Sequence, residues 1–238
     1  MNHPSPSGKS PAAVRALFTV VARRYDFLNR MMSLGQDQRW RRAAVQRLKP
    51  PDQGWLLDAG TGTGDLATAF KRQAPRARVV GCDLTPAMIA QAKHRPGGES
   101  IHWVIADAYF LPFAQDQFDC IASAFLLRNT SDPVVTFAEQ RRVLQPRGRM
   151  ACLETTPPPR GLFGWPLRFY LRRIIPLLGK LFAGNPGAYS YLRDSTETFQ
   201  SADELTRSLE QAGFTQVSWT KWMLGAVAIH IAHKIRSI

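Results

Sequence analysis

The stretch Asp58-Ala59-Gly60-Thr61-Gly62-Thr63-Gly64-Asp65 decides the fold. It is entered from Trp55-Leu56-Leu57-Asp58-Ala59, a short apolar run that reads as a buried strand. It leads into Asp65 to Ala74, which reads as a helix. Glycines let the backbone turn sharply between the two and let a ligand approach the main chain.

Outward from this centre, strand and helix patterns alternate. Arg78 to Asp83 is a strand, and Pro86 at a first helical position opens a helix over Ala87 to His94. His102 to Asp107 and Phe118 to Phe125 are strands. Asp132 is an N-cap, with Pro133 just inside it, for a helix ending at Val143. Arg149 to Glu154 is the next strand. Ala202 to Ala212 is a helix stopped by Gly213. Gln216 to Trp222 and Ala226 to His233 are strand-like and joined at Leu224-Gly225. The pattern predicts a doubly wound α/β fold, with a mostly parallel seven-stranded sheet and an antiparallel C-terminal hairpin on its edge. Residues 1–48 form an arm and a helical extension beginning at Pro11. Residues 49–238 form the ligand-binding part, with an insert at 155–199, and the whole reads as one domain.

A glycine loop after a first strand is shared by dinucleotide enzymes and methyltransferases, so the acids must separate them. Asp83 ends the second strand, where a carboxylate accepts hydrogen bonds from both hydroxyls of an adenosine ribose. Asp107 ends the third strand, within reach of an adenine amino group, followed by the amide of Ala108. Asp65 stands where the dinucleotide pattern wants glycine, and a carboxylate at that helix N-terminus repels a pyrophosphate. S-adenosylmethionine has no phosphate and carries two cationic groups. The loop therefore points to the methyl donor, while Asp65 also serves as an ordinary helix N-cap.

The chain has 238 residues and a net charge of +13, from 31 Lys and Arg against 18 Asp and Glu. That balance favours an anionic partner, either lipid or nucleic acid, although solubility alone also accounts for it. No RNA-binding module is visible, so nucleic acid is not expected. No apolar run is long enough to span a bilayer. The polar stretch Met1 to Pro11 lacks the apolar core of a secretory signal. Cys82, Cys120 and Cys152 are widely spaced in strand-like runs, which predicts reduced thiols and a cytoplasmic protein. His230 and His233, three apart in a strand, face opposite ways and cannot share a metal.

Four stretches together resemble the ubiquinone/menaquinone biosynthesis C-methyltransferase family, over about Val20 to Lys234. They are Tyr25-Asp26-Phe27-Leu28-Asn29 through Met32-Ser33-Leu34-Gly35 to Trp40; the glycine loop; Phe125-Leu126-Leu127-Arg128-Asn129 with Asp132; and a run of positions from Ile175 to His230 that includes Tyr189-Ser190-Tyr191-Leu192 and Gly225-Ala226-Val227-Ala228-Ile229-His230. The resemblance implies methyl transfer to a ring carbon of a prenylated hydroquinone. With the loop, it places Asp58, Gly60, Gly62, Thr63, Gly64, Asp83, Leu84, Asp107, Ala108, Ser123 and Ala124 around S-adenosylmethionine. It makes Arg128 and Asn129 the candidate catalytic pair and Tyr25, Asn29, Tyr189 and Tyr191 candidates for the ring pocket. The chain departs from the family pattern in five places. Ala124 replaces a usual Ser, Leu126 a Gly, Arg30 an acid, Asp37 a His, and Arg147 the first Gly of a Pro-Gly-Gly loop. These changes leave the identity of the quinone open.

Carbon methylation requires a deprotonated hydroxyl on the ring and a carbon held in line with the sulfonium methyl, which is largely proximity catalysis. A base, acting directly or through water, takes the hydroxyl proton, and no metal is required. Arg128 suits stabilisation of the phenolate and Asn129 a bond to a ring oxygen; the structural alternatives are a salt bridge and a turn. The insert from Leu162 to Phe182 mixes bulky apolar residues with arginine. Leu167, Tyr170, Leu171 and Ile174 recur at helical spacing, with Arg168 and Arg172 on another face, as in a helix at an anionic membrane surface. A lid over the site is compatible with this, and a homodimer is compatible with the chain. The competing functions are methylation of another small aromatic compound or of RNA, or a non-catalytic donor-binding subunit.

Overall fold

The computed structural model describes residues 10–157, 165–174 and 199–235. The strands are β1 (Trp55–Ala59), β2 (Arg78–Asp83), β3 (His102–Ile105), β4 (Phe118–Ala124), β5 (Leu144–Thr155), β6 (Thr215–Trp222) and β7 (Val227–His233). They form one seven-stranded sheet in the order β3-β2-β1-β4-β5-β7-β6. The pairs among β1 to β5 are parallel, and β7 runs antiparallel to both β5 and β6. This is the doubly wound sheet with an antiparallel edge that the alternation predicts.

The core follows from the two-residue period of the strands. Leu57, Val80, Ile121 and Met150 point to one face and meet Phe137, Leu205 and Leu209. Leu56, Val79, Cys120 and Ala151 point to the other and meet Val45, Leu48, Leu66 and Phe70. The first face is covered by α6 (Pro133–Val143) and α8 (Ala202–Gln211), the second by α3 (Asp37–Leu48) and α4 (Asp65–Gln73). Asp132 caps α6 by accepting from the amides of Val134 and Val135, as its position predicts. Ser201 and Glu204 form a capping box at the start of α8. The extension is three consecutive helices, α1 (Pro11–Val21), α2 (Tyr25–Met32) and α3. The remaining helices are α5 (Pro86–Lys93) and α7 (Trp165–Phe169), the latter continuing as a π-helical turn over Tyr170–Ile174.

Strand order reverses between β1 and β4. The exits of these two strands diverge there and leave a crevice at the carboxyl edge of the sheet. The glycine loop leaves β1 at that point.

Two strand boundaries differ from the sequence reading by more than one residue. The third strand stops at Ile105, because the Asp107 side chain accepts the amide of Tyr109 and turns the chain away. The fifth strand begins at Leu144, five residues earlier, and contains an irregularity at Arg147-Gly148. Among the described residues no helix is long and apolar enough to cross a membrane.

Arg147 is exposed and lies at φ 68°, the left-handed region where a side chain crowds the backbone. A Cβ at Gly148 would sit 2.7 Å from the carbonyl oxygen of Gln145, so the second glycine of the loop has no substitute. The first has been replaced at a local cost. Arg147→Gly keeps the amide that donates to the Lys234 carbonyl and relieves that cost. It is expected to raise unfolding free energy by roughly 0.5–1 kcal/mol, once the greater freedom of unfolded glycine is subtracted. Chemical denaturation checks this, and a lower midpoint would contradict it.

Candidate active site

At the exit of β1 the chain turns through Gly60, Gly62 and Gly64, at φ 69°, 55° and 87°. Asp58 is fully buried behind the turn, where it accepts from the Thr61 hydroxyl at 2.6 Å and the Ala67 amide at 2.8 Å. Burial pushes its carboxyl up to about 7 against those bonds. Asp83 holds the loop from the β2 side, one oxygen accepting the Gly62 amide and the other the Thr85 amide, both at 2.8 Å. Burial raises its carboxyl above the usual range, and the amides of Thr85 and Gly62 oppose that rise.

A cavity opens on this loop. Of the residues expected around the donor, Gly60, Gly62, Asp83, Leu84, Asp107, Ala108 and Ala124 line it. Tyr25 and Asn129 stand in the same wall. Leu84, Met88 and Ala106 give an apolar slot between the two acids. No Lys or Arg is among the described lining residues, although the protein carries a net charge of +13. Two carboxylates, an apolar slot and bare glycine backbone fit an adenosine with a cationic tail and disfavour a phosphate.

The other expected residues stand back from the wall. Asp58 supports the loop from behind. The Thr63 hydroxyl donates to Asp26 and is turned away from the cavity. Gly64 faces Trp103, whose ring would meet a Cβ at 2.7 Å. Ser123 is buried and pairs in register with Cys152 across β4 and β5, because alternate β4 residues face opposite sides. Asn29 lies part-buried in α2 without lining the cavity, and its carbonyl accepts the Ser33 amide. Arg128 is 7% exposed and lies over the ring of Phe125, 5.3 Å from its centroid. Phe125 itself lines the cavity, so Arg128 stands one side chain behind the wall. Asn129 donates its side-chain N–H to the Phe125 carbonyl at 3.0 Å. Tyr189 and Tyr191 lie outside the described residues.

The front of the cavity comes from residues the sequence reading left in a general helical extension. Pro11, Val14 and Phe18 of α1 line it, and Phe18 meets Tyr25 edge-on at 5.9 Å. Their spacing along one helical face was the available signal. Leu126 lies against the loop: a Cβ on Gly60 would approach its Cδ1 to 2.6 Å.

A run of alternating charges fastens the extension to the loop. Arg41 donates to Asp37 at 2.8 Å, and Asp37 pairs with Arg30. Arg30 reaches both oxygens of Asp65 at 3.2 Å. Arg95 pairs with Asp65 and with Asp26, and donates its Nε to the Thr63 carbonyl at 2.8 Å. Arg30 and Asp37, two departures from the family pattern, are therefore partners. Burial pushes the Asp65 carboxyl up, but Arg41, Arg30 and Arg95 together outweigh burial and bring it down to about 2. Asp26 belongs to a stretch already singled out. Arg95 follows a helix with no local pattern to mark it.

The family described as the ubiE/COQ5 methyltransferase family matches residues 7–234. The chain is 44% identical over 217 residues to the ubiquinone/menaquinone biosynthesis C-methyltransferase UbiE of Desulfotalea psychrophila, covering 91% of this chain and 88% of that one. It is 42% identical over 220 residues to the demethylmenaquinone methyltransferase of Thermus thermophilus, covering 92% and 100%. It superposes on a SAM-dependent methyltransferase of Thermotoga maritima with a TM-score of 0.66 at 17% identity, covering 93% of this chain and 99% of that one. The last likeness is one of fold.

Asp65→Asn tests the charge run. The ionised Asp65 is favoured by folding, since its carboxyl lies near 2 against an ordinary 3.8. It should contribute roughly 2 kcal/mol above the ordinary value, lost as pH falls through 2. The variant is expected to lose roughly 2–3 kcal/mol at pH 7. The difference from wild type should shrink on acidification, as read by denaturation at several pH values. A gap that stays constant down to pH 2 would remove Asp65 as the source.

Proposed function

Because the chain belongs to the ubiE/COQ5 methyltransferase family, we propose that it transfers a methyl group from S-adenosylmethionine to a ring carbon of a prenylated hydroquinone. The observation that carries this reading is the cavity at the β1 exit, with two acids and no basic residue among the described residues of its wall. Bound there, S-adenosylmethionine supplies an electrophilic methyl group on a sulfonium. Asp83 would hold the ribose hydroxyls with the lone pairs that Gly62 and Thr85 leave free. Asp107 and the Ala108 amide would meet the adenine edge, and Leu84 and Met88 its faces.

The turn after β4 faces the reacting end. Asn129 and Tyr25, both in the wall, would contact the ring. Arg128, one side chain behind, carries the positive charge that favours the phenolate as the hydroxyl proton leaves. The lipid tail of such a substrate lies in a bilayer, and the insert offers a route to it. The Trp165 and Phe169 rings stack at 5.7 Å and are 60% and 48% exposed. The Tyr170 hydroxyl donates to the Met32 carbonyl at 3.1 Å, tying this segment to α2. We take the exposed ring pair, with the surplus of Lys and Arg, as a peripheral contact with anionic membrane on the cytoplasmic side.

Two measurements check these readings. Labelled methyl should appear on carbon of a reduced prenylated quinone and vanish with the oxidised form, which has no hydroxyl to deprotonate. Arg128→Ala should lower kcat on the order of 10²-fold while changing donor affinity little. Label on oxygen, or only on RNA, would overturn the function; full turnover in Arg128→Ala would remove that residue's role. In vesicle sedimentation, binding should be stronger on anionic than on neutral lipid and fall with salt, because screening acts beyond about 10 Å at 0.1 M. Equal binding to both would refute the electrostatic part.

A further inference from the structure

Glu154 is the penultimate residue of β5, on the face of the sheet that carries Cys152, and no sequence pattern gave it a role. It is fully buried. Its Oε1 accepts the Leu127 amide at 2.6 Å, while its Oε2 has no hydrogen-bond partner among the described residues. A buried carboxylate in that condition is costly unless a charge compensates it. Arg128 is the cation that acts on it. Burial pushes the Glu154 carboxyl up to about 7, and Arg128 and the surrounding amides restrain the rise.

Glu154 thus sits beneath the turn that brings the β4 exit to the cavity. Phe125 is held at φ 58°, a left-handed backbone that a bulky residue adopts only when its surroundings impose it. Two bonds from β5 impose it here: the Phe125 amide donates to the Leu153 carbonyl at 2.8 Å, and the Leu127 amide to Glu154. The same turn carries Leu126 and Asn129 into the wall and lays Arg128 over Phe125.

We propose that Glu154 is a positioning residue for methyl transfer, its carboxylate fixing the turn through Leu127 and aiming the Arg128 guanidinium from below. The proposal rests on the reading of Arg128 given above. Glu154 touches no wall of the cavity and acts through Arg128.

The test is a double-mutant cycle on the full-length enzyme with a reduced prenylated quinone. Glu154→Gln keeps an oxygen for the Leu127 amide and removes the charge. Donor affinity by calorimetry should stay within about two-fold and KM should hold. The kcat should fall on the order of 10–100-fold, the cost of a misplaced group. In an Arg128→Ala background the same change should cost nothing further. Glu154→Asp, which keeps the charge on a shorter arm, should recover part of the loss relative to Gln. If Glu154→Gln does not fold, the Asp variant with and without Arg128→Ala carries the same comparison. Full turnover in Glu154→Gln, or losses that multiply in the double variant, would overturn the proposal. A wild-type enzyme that methylates no hydroquinone carbon would instead sink the functional reading. An Arg128→Ala enzyme at full rate would sink the role of Arg128, and with it the role of Glu154.

Discussion

Arg41, Asp37, Arg30, Asp65, Arg95 and Asp26 alternate in sign, and each pairs with the next. The front of the cavity at the β1 exit depends on this run. Asp37 and Asp65 are 2% and 6% exposed, depths at which an unpaired carboxylate is not tolerated. Asp37 and Asp65 are each bound by two guanidiniums, and Asp26 by Arg95 and the Thr63 hydroxyl. The run begins in α3, passes the first turn of α4, and ends at α2 beside Thr63. It therefore holds the helical extension on the glycine loop, with Tyr25 in front of Gly62.

That arrangement explains how a strongly basic protein makes a cavity with no basic side chain among the described residues of its wall. The arginines near the loop are committed to aspartates behind it or, like Arg128, to the space under Phe125. What remains among the described wall residues is Asp83 and Asp107, neutral polar side chains such as Tyr25 and Asn129, apolar side chains and glycine backbone. Asp83 does two things at once: it closes the loop against β2 through the Gly62 amide and presents its remaining lone pairs to the cavity. Asp58 does only the first kind of work, from the far side.

The departures from the family pattern become intelligible when read as contacts. Arg30 in place of an acid and Asp37 in place of a histidine are changes of opposite sign at touching positions, and the two new residues form an ion pair. Leu126 in place of glycine packs on Gly60, where a side chain on the loop would collide with it. It adds bulk to the cavity wall beside the loop, a change in shape rather than in chemistry. Arg147 carries a left-handed backbone that its neighbour Gly148 does not. For Ala124, which lines the cavity where the family has a hydroxyl, the structure offers no compensating group.

The sequence by itself determined the sheet, the loop and the acids at the strand ends. These are local properties: two-residue periodicity, glycine's access to positive φ, and caps such as Asp132 act within a few residues of chain. It also marked the turn from Phe125 to Asn129 through its likeness to a family. Tertiary structure alone decided which of those residues face the cavity. Thr63 and Ser123 lie within two residues of wall positions, yet one is drawn to Asp26 and the other turned to Cys152 by the strand pleat. The partners that fix the site are distant in sequence, Arg30 from Asp65, Arg95 from Asp26, and Glu154 from Leu127. Burial makes those pairings obligatory, since a charge removed from water must find its opposite wherever the fold brings one. No local pattern announces which residue that will be.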